Sequence, residues 1–148
     1  MSKCHLAQLN IARMKAALDS PQMSGFTDNL EHVNQIAEQS PGYIWRLQTD
    51  EGDATALRPF GDDVLVNLSV WQDLASLRAF VFESAHRSFL KRRAEWFDRM
   101  SDAATVLWWI PAGSEPSLTV AWEKLEHLRN KGPSAEAFSF RQPFDPPT

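Results

Sequence analysis

Apolar and polar positions change their period several times along the chain, and each change predicts an element. Cys4–Ala12 is short and alternating: Leu6, Gln8 and Asn10 fall on one side, Ala7, Leu9 and Ile11 on the other, as in a strand. Asp19, Ser20 and Pro21 are loop residues. From Met23 to Gln39 the apolar residues Phe26, Leu30, Val33 and Ala37 recur at intervals of four, three and four, one stripe of a helix. Ser24 is its candidate cap and Ser40-Pro41-Gly42 its stop. Tyr43–Gln48 reads as a second strand, Asp50–Asp53 as a polar turn, Ala54–Phe60 as an irregular segment that shapes a ligand site, and Gly61–Asp63 as another turn. Val64–Trp71 is the clearest strand. Val64, Val66, Leu68 and Val70 make one wholly apolar face, while Leu65, Asn67, Ser69 and Trp71 make a mixed one.

Asp73 caps a helix over Leu74–Glu83 with Leu77, Phe80 and Val81 inward; Ser84–His86 interrupt it before a second run, Arg87–Met100. His86, Phe89, Arg93 and Trp96 share one face of that run. Thr105–Ile110 is a fourth strand stopped by Pro111. Ser117–Lys131 is a helix with Val120, Leu125 and Leu128 inward, Ala137–Arg141 a short edge strand, and residues 143–148 a loose tail. The order β-α-β-β-α-β, with an added helix and edge strand, is the split βαβ arrangement of an α+β, ferredoxin-like domain over residues 1–142. Its sheet carries apolar side chains on both faces, and an apolar face does not stay in water. One face is expected on the helices and the other on a second copy, making a homodimer through the sheet.

Composition narrows the partners. A net charge of −4, with a pI near 5.5, argues against nucleic acid, and the basic run Arg87–Arg93 is answered at once by Glu95 and Asp98. No apolar stretch approaches the roughly 20 residues of a membrane helix. Cys4 is the single cysteine, and the first residues lack the pattern of a signal peptide, so the expected location is cytoplasmic. Six Trp and nine Phe stand against one Tyr. Such a set lines either a large core or a cavity for a flat apolar ligand.

The candidate chemistry follows from residues that fit their surroundings poorly. His86, at a helix break among aromatics, either exchanges a proton or ligates haem iron, or else ties off the broken helix or bonds Asn67. Asn10 and Asn67 lie mid-strand, where Asn is disfavoured. They either bridge strands as an amide pair or offer amide donors to a substrate carbonyl or phenolate, with Gln8 and Ser69 on the same face. Trp45, Trp71, Trp96, Trp108 and Trp109 wall a cavity or fill the core; Trp108 and Trp109, being consecutive, point to opposite faces. Arg46 needs an acidic partner or an anionic ligand. No metal-ligand spacing, phosphate loop, Gly-x-Ser-x-Gly elbow or Cys-x-x-Cys pair is present, so no metal or nucleotide cofactor is expected.

Three stretches together resemble a known superfamily: Ser40-Pro41-Gly42-Tyr43 leading into a Trp-containing strand, Val64–Trp71 running on into Gln72-Asp73-Leu74, and Leu77–Phe80 leading to His86. They are similar to the dimeric α/β-barrel proteins, which include the antibiotic-biosynthesis monooxygenases. Leu6–Met14, Tyr43–Leu47, Leu65–Trp71, Ala85–Phe97 and Leu107–Gly113 resemble more closely the uncharacterised family DUF3291, over nearly the whole chain. The resemblance implies the fold and a homodimer, and no particular reaction. Two readings remain open. One is a small-molecule enzyme like the cofactor-free monooxygenases, acting on a flat apolar substrate, with a haem-binding variant through His86. The other is a non-catalytic ligand-binding or structural dimer.

Overall fold

The computed structural model describes residues 3–49, 52–84 and 86–147. In chain order the elements are β1 (Cys4–Met14), α1 (Ser24–Gln39), β2 (Tyr43–Arg46), β3 (Val64–Trp71), α2 (Leu74–Arg78), α3 (His86–Trp96), β4 (Phe97–Asp98), β5 (Thr105–Pro111) and α4 (Leu118–Lys131). A π-helical turn, Ala79–Glu83, follows α2. β1 is the central strand. It pairs antiparallel with β3 from Leu6↔Trp71 to Arg13↔Val64. Its other side takes β5 from Cys4↔Pro111 to Asn10↔Thr105, and then the two residues of β4. With β2 outside β3, the main order β2-β3-β1-β5, antiparallel throughout, is the ferredoxin-like one.

The two faces of the sheet are as unlike as the alternation requires. Ala7, Leu9, Ile11, Val66, Leu68, Val70, Val106 and Trp108 build one core, and Ala121, Leu125 and Leu128 of α4 close it. Leu9, Val70 and Val106 keep no exposed surface within the single chain. The apolar face is therefore the one that the chain's own C-terminal helix covers. Ala54–Phe60 helps: Ala54 joins this core and Phe60 stacks on Trp122 at 4.4 Å, so the segment roofs the apolar face rather than shaping a site on the mixed one. The mixed face lies toward α1, α2 and α3, with Leu6, Ala37, Trp71 and Leu77 packed at one end and Met14, Met23, Leu65 and Trp96 at the other.

Several local expectations change. α1 has no side-chain cap; it is entered from a 3-10 turn at Pro21–Met23, and the Ser24 hydroxyl donates back to Pro21 O at 2.8 Å. Asp73 does cap α2, accepting from Ser76 N at 2.8 Å. α3 stops at Trp96 because Phe97 and Asp98 extend to pair with Met14 and Arg13, while the Phe97 ring packs edge-on to Phe26. In α4 Val120 is 40% exposed and Ala121 takes the inward place. Residues 137–141 make an isolated bridge, Leu107↔Phe138, instead of a strand. Part of the tail is held: Phe144 O accepts from Trp109 Nε1 at 2.8 Å. Residues 50 and 51 of the polar turn, 85 of the helix break and 148 lie outside the described residues.

Gly42 joins α1 to β2 with φ +83°, and a Cβ there would fall 2.1 Å from Ser76 Oγ. Gly42→Ala therefore meets both a left-handed backbone and a clash. It should lower unfolding free energy by about 1–3 kcal/mol in urea melts, and an unchanged midpoint would contradict this packing. Leu125→Ala opens a void under α4 and should cost about 2–5 kcal/mol in the same assay; a cost near zero would mean that α4 does not close the sheet.

Candidate functional site

Residues directly opposed in an antiparallel ladder share a face, so the register lays out the mixed face in rows. The first row is Tyr43, Trp71, Leu6 and Trp109. The second is Arg46, Ser69, Gln8 and Leu107, and the third is Asn67, Asn10 and Thr105. An irregularity between Tyr43 and Trp45 sets the phase of β2: Trp45 opposes Val70 on the apolar face, while Tyr43 and Arg46 both stand on the mixed one. The face thus presents a polar window between two apolar ends.

The window is wired. Trp71 Nε1 donates to Ser69 Oγ at 2.9 Å, and Gln8 Nε2 donates to the same oxygen at 2.8 Å. Gln8 Nε2 also reaches Asn67 Oδ1 at 2.5 Å. Asn10 turns away, its Nδ2 donating to Thr105 Oγ1 at 2.7 Å. The directly opposed Asn10 and Asn67 therefore do not pair with each other; Gln8 binds Asn67 instead. Gln8 and Ser69 are buried, yet Asn67 is the one exposed position of β3. With Oδ1 engaged by Gln8, the Asn67 Nδ2 donors have no partner among the described residues. An oriented amide facing open space from a sheet centre can receive a ligand oxygen.

An aromatic wall adjoins the window. Tyr43 meets Trp71 edge-on at 5.7 Å, Trp71 stacks on Phe80 at 5.1 Å, and Phe80 lies 4.8 Å from the His86 ring. Burial, only partly opposed by the charge of Arg46, raises the Tyr43 hydroxyl above its ordinary pKa. His86 starts α3. Its Nδ1 lies 3.2 Å from Val81 O in the π-helical turn, and its backbone N donates to Ser84 Oγ. With Nδ1 as the donor, Nε2 keeps a free lone pair. Burial pushes the imidazole pKa below its ordinary value, against the opposing effect of the Val81 bond.

The other candidates separate. Trp45 packs in the apolar core, and its indole is a full sheet thickness from the window. Trp96 sits at the far end among Phe26, Phe89 and Phe97. Trp109 shares the first row but spends its N–H on the tail, and Trp108 is buried on the opposite face. Gln8, Thr105, Tyr43 and Phe80 complete the window and its wall; Gln8 and Thr105 were legible as polar residues in phase with Asn67. A shallow depression of about 450 Å³ beyond Phe80, lined also by Pro41, Ser76 and Glu83, does not include His86. Among the described residues no three His, Cys, Asp or Glu side chains converge as a metal site, and no helix is long and apolar enough to cross a membrane.

The lowered His86 pKa makes a stability prediction. In the unfolded chain the imidazole titrates near 6.5, and in the fold at a lower pH, so acid favours the unfolded state. The stability from neutral His86 is fully present above about pH 6.5 and is lost as pH falls toward the folded value. His86→Asn should flatten the fall in stability below that pH relative to the parent chain; parallel curves would contradict a buried, neutral imidazole.

The family model of DUF3291, a domain of unknown function, matches residues 5–148. No curated protein matches the sequence. A protein of unknown function from Nitrosomonas europaea aligns at 13% identity and TM-score 0.49, over 78% of this chain and 95% of that one. SnoaB, a cofactor-independent oxygenase from Streptomyces nogalater, aligns at 12% identity and TM-score 0.49, over 75% and 95%. A conserved protein from Methanosarcina mazei aligns at 16% identity and TM-score 0.49, over 74% and 93%. The chain belongs to the DUF3291 family.

Proposed function

We propose that this DUF3291 protein binds a flat, oxygen-bearing small molecule against the mixed face of its sheet and acts on it as a cofactor-free, monooxygenase-like enzyme. The observation that carries the reading is the Asn67 amide. It is exposed at the centre of a buried strand, oriented through Gln8, and left with free donors. The fully buried Trp71 backs the network from within the core, and a flat ligand lying over the exposed Asn67 would place an enol or phenol oxygen at that amide. Its N–H groups would favour the ionised form as negative charge develops. The enolate is the electron-rich form that molecular oxygen attacks. The Gln8–Ser69–Trp71 chain fixes the amide before the ligand arrives, which lowers the cost of ordering it.

The non-catalytic reading is favoured by one observation: His86, the nearest neutral base, is bonded into the π-helical turn and not to Asn67. Oxygen consumption with an enolisable ring separates the two, since a pure binding protein consumes none. The binding site itself is tested with 1-naphthol, followed by tryptophan fluorescence. Asn67→Ala should weaken binding about tenfold, the worth of one hydrogen bond to a charged oxygen, and lower stability modestly because Gln8 loses an acceptor. Equal affinity in parent and variant would remove Asn67 from the site.

A further inference from the structure

Arg46 opposes Ser69 in the second row of the window, beside Trp71 and Tyr43 in the first. Its side chain is only 10% exposed. Nevertheless its guanidinium makes no hydrogen bond: Nε is buried without a partner, and the one nearby carboxylate, Glu38 Oε1, is 3.8 Å from Nη2. Glu38 is itself 41% exposed, at the last turn of α1, and too far to bond. The ion pair to Glu38 is long and its carboxylate half-exposed, so it offsets the buried charge only weakly, and the Nε donor is left unmet. The second row also lacks any further cation, so the unmet charge stands at one edge of the window.

We propose that Arg46 is the anion-recognition residue of the window, and that the ligand is a flat ring bearing a carboxylate. The inference rests on the small-molecule site argued above. A carboxylate matches the planar guanidinium fork in two parallel hydrogen bonds. Glu38, held loosely at the rim, is the group it displaces. The ring then extends from Arg46 toward Asn67, over the row that Ser69 occupies.

The test uses two isosteric probes, 2-naphthoate and the neutral 2-naphthamide, titrated into the intact protein by calorimetry. The parent chain should bind naphthoate at least about tenfold more tightly than naphthamide, and Arg46→Met should erase that preference. Arg46→Met should also raise the melting temperature of the free protein, by about 2–4 °C, because it removes a buried charge that a long, half-exposed ion pair offsets only weakly, and keeps an apolar stem. A structural ion pair would give the opposite sign. Equal binding of the two probes overturns the carboxylate and leaves the small-molecule site standing. Binding of neither probe overturns both. A lowered melting temperature assigns Arg46 to the scaffold and overturns its ligand role.

Discussion

The register of β1 against β3 is the constraint on which the rest of the structure depends. Eight opposed pairs, from Leu6↔Trp71 to Arg13↔Val64, decide which side chain meets which face. A slip of one residue by β1 would carry Gln8 and Asn10 into the apolar core and turn Leu9 outward, and the same slip by β3 would do so to Asn67 and Ser69 and turn out Leu68 and Val70. Burial of the apolar row under α4 forbids that slip, because Leu9 and Val70 have no exposed surface to lose. The C-terminal helix thus does more than fill space. By closing one face, it fixes the polar window on the other.

Polar groups in the middle of a sheet are expensive unless they find partners. The window meets this demand nearly in full. The Trp71 indole, a donor only, requires an acceptor, and Ser69 provides it. Gln8 then orders Ser69 and Asn67 together, and Thr105 satisfies Asn10. Two donors on this face stay unmet among the described residues, the Asn67 amide and Arg46 Nε. Unmet capacity inside a network otherwise satisfied is the signature of a place prepared for something else.

The period-two alternation of β1 and β3 made both faces legible in the sequence, and with them the shared side of Gln8, Asn10, Asn67 and Ser69. The opposed directions of Trp108 and Trp109 were equally legible, since consecutive strand residues cannot point the same way. Periodicity has no means of saying which face an amphipathic helix will cover. Nothing in the spacing of Ala121, Leu125 and Leu128 says which face of the sheet they meet, so which face the helices cover was not legible until α4 was seen on the apolar one. Trp45 was misplaced with the candidate wall because its aromatic character says nothing of phase, which the irregularity near Ile44 sets. The bond from His86 to Val81 depends on a π-helical turn, a local widening that leaves no periodic mark in so short a segment.

The central claim is that one amide in the sheet, Asn67, is oriented but free. Nuclear magnetic resonance of the side-chain amide protons tests it most directly, by solvent exchange in the free protein and on addition of a flat aromatic ligand. The account predicts fast exchange at Asn67 Nδ2 and slow exchange at Gln8 Nε2 in the free protein, with Asn67 becoming protected when the ligand binds. A protected Asn67 in the free protein, or ligand-induced shifts centred on Trp45 and Trp122 across the sheet, would contradict it.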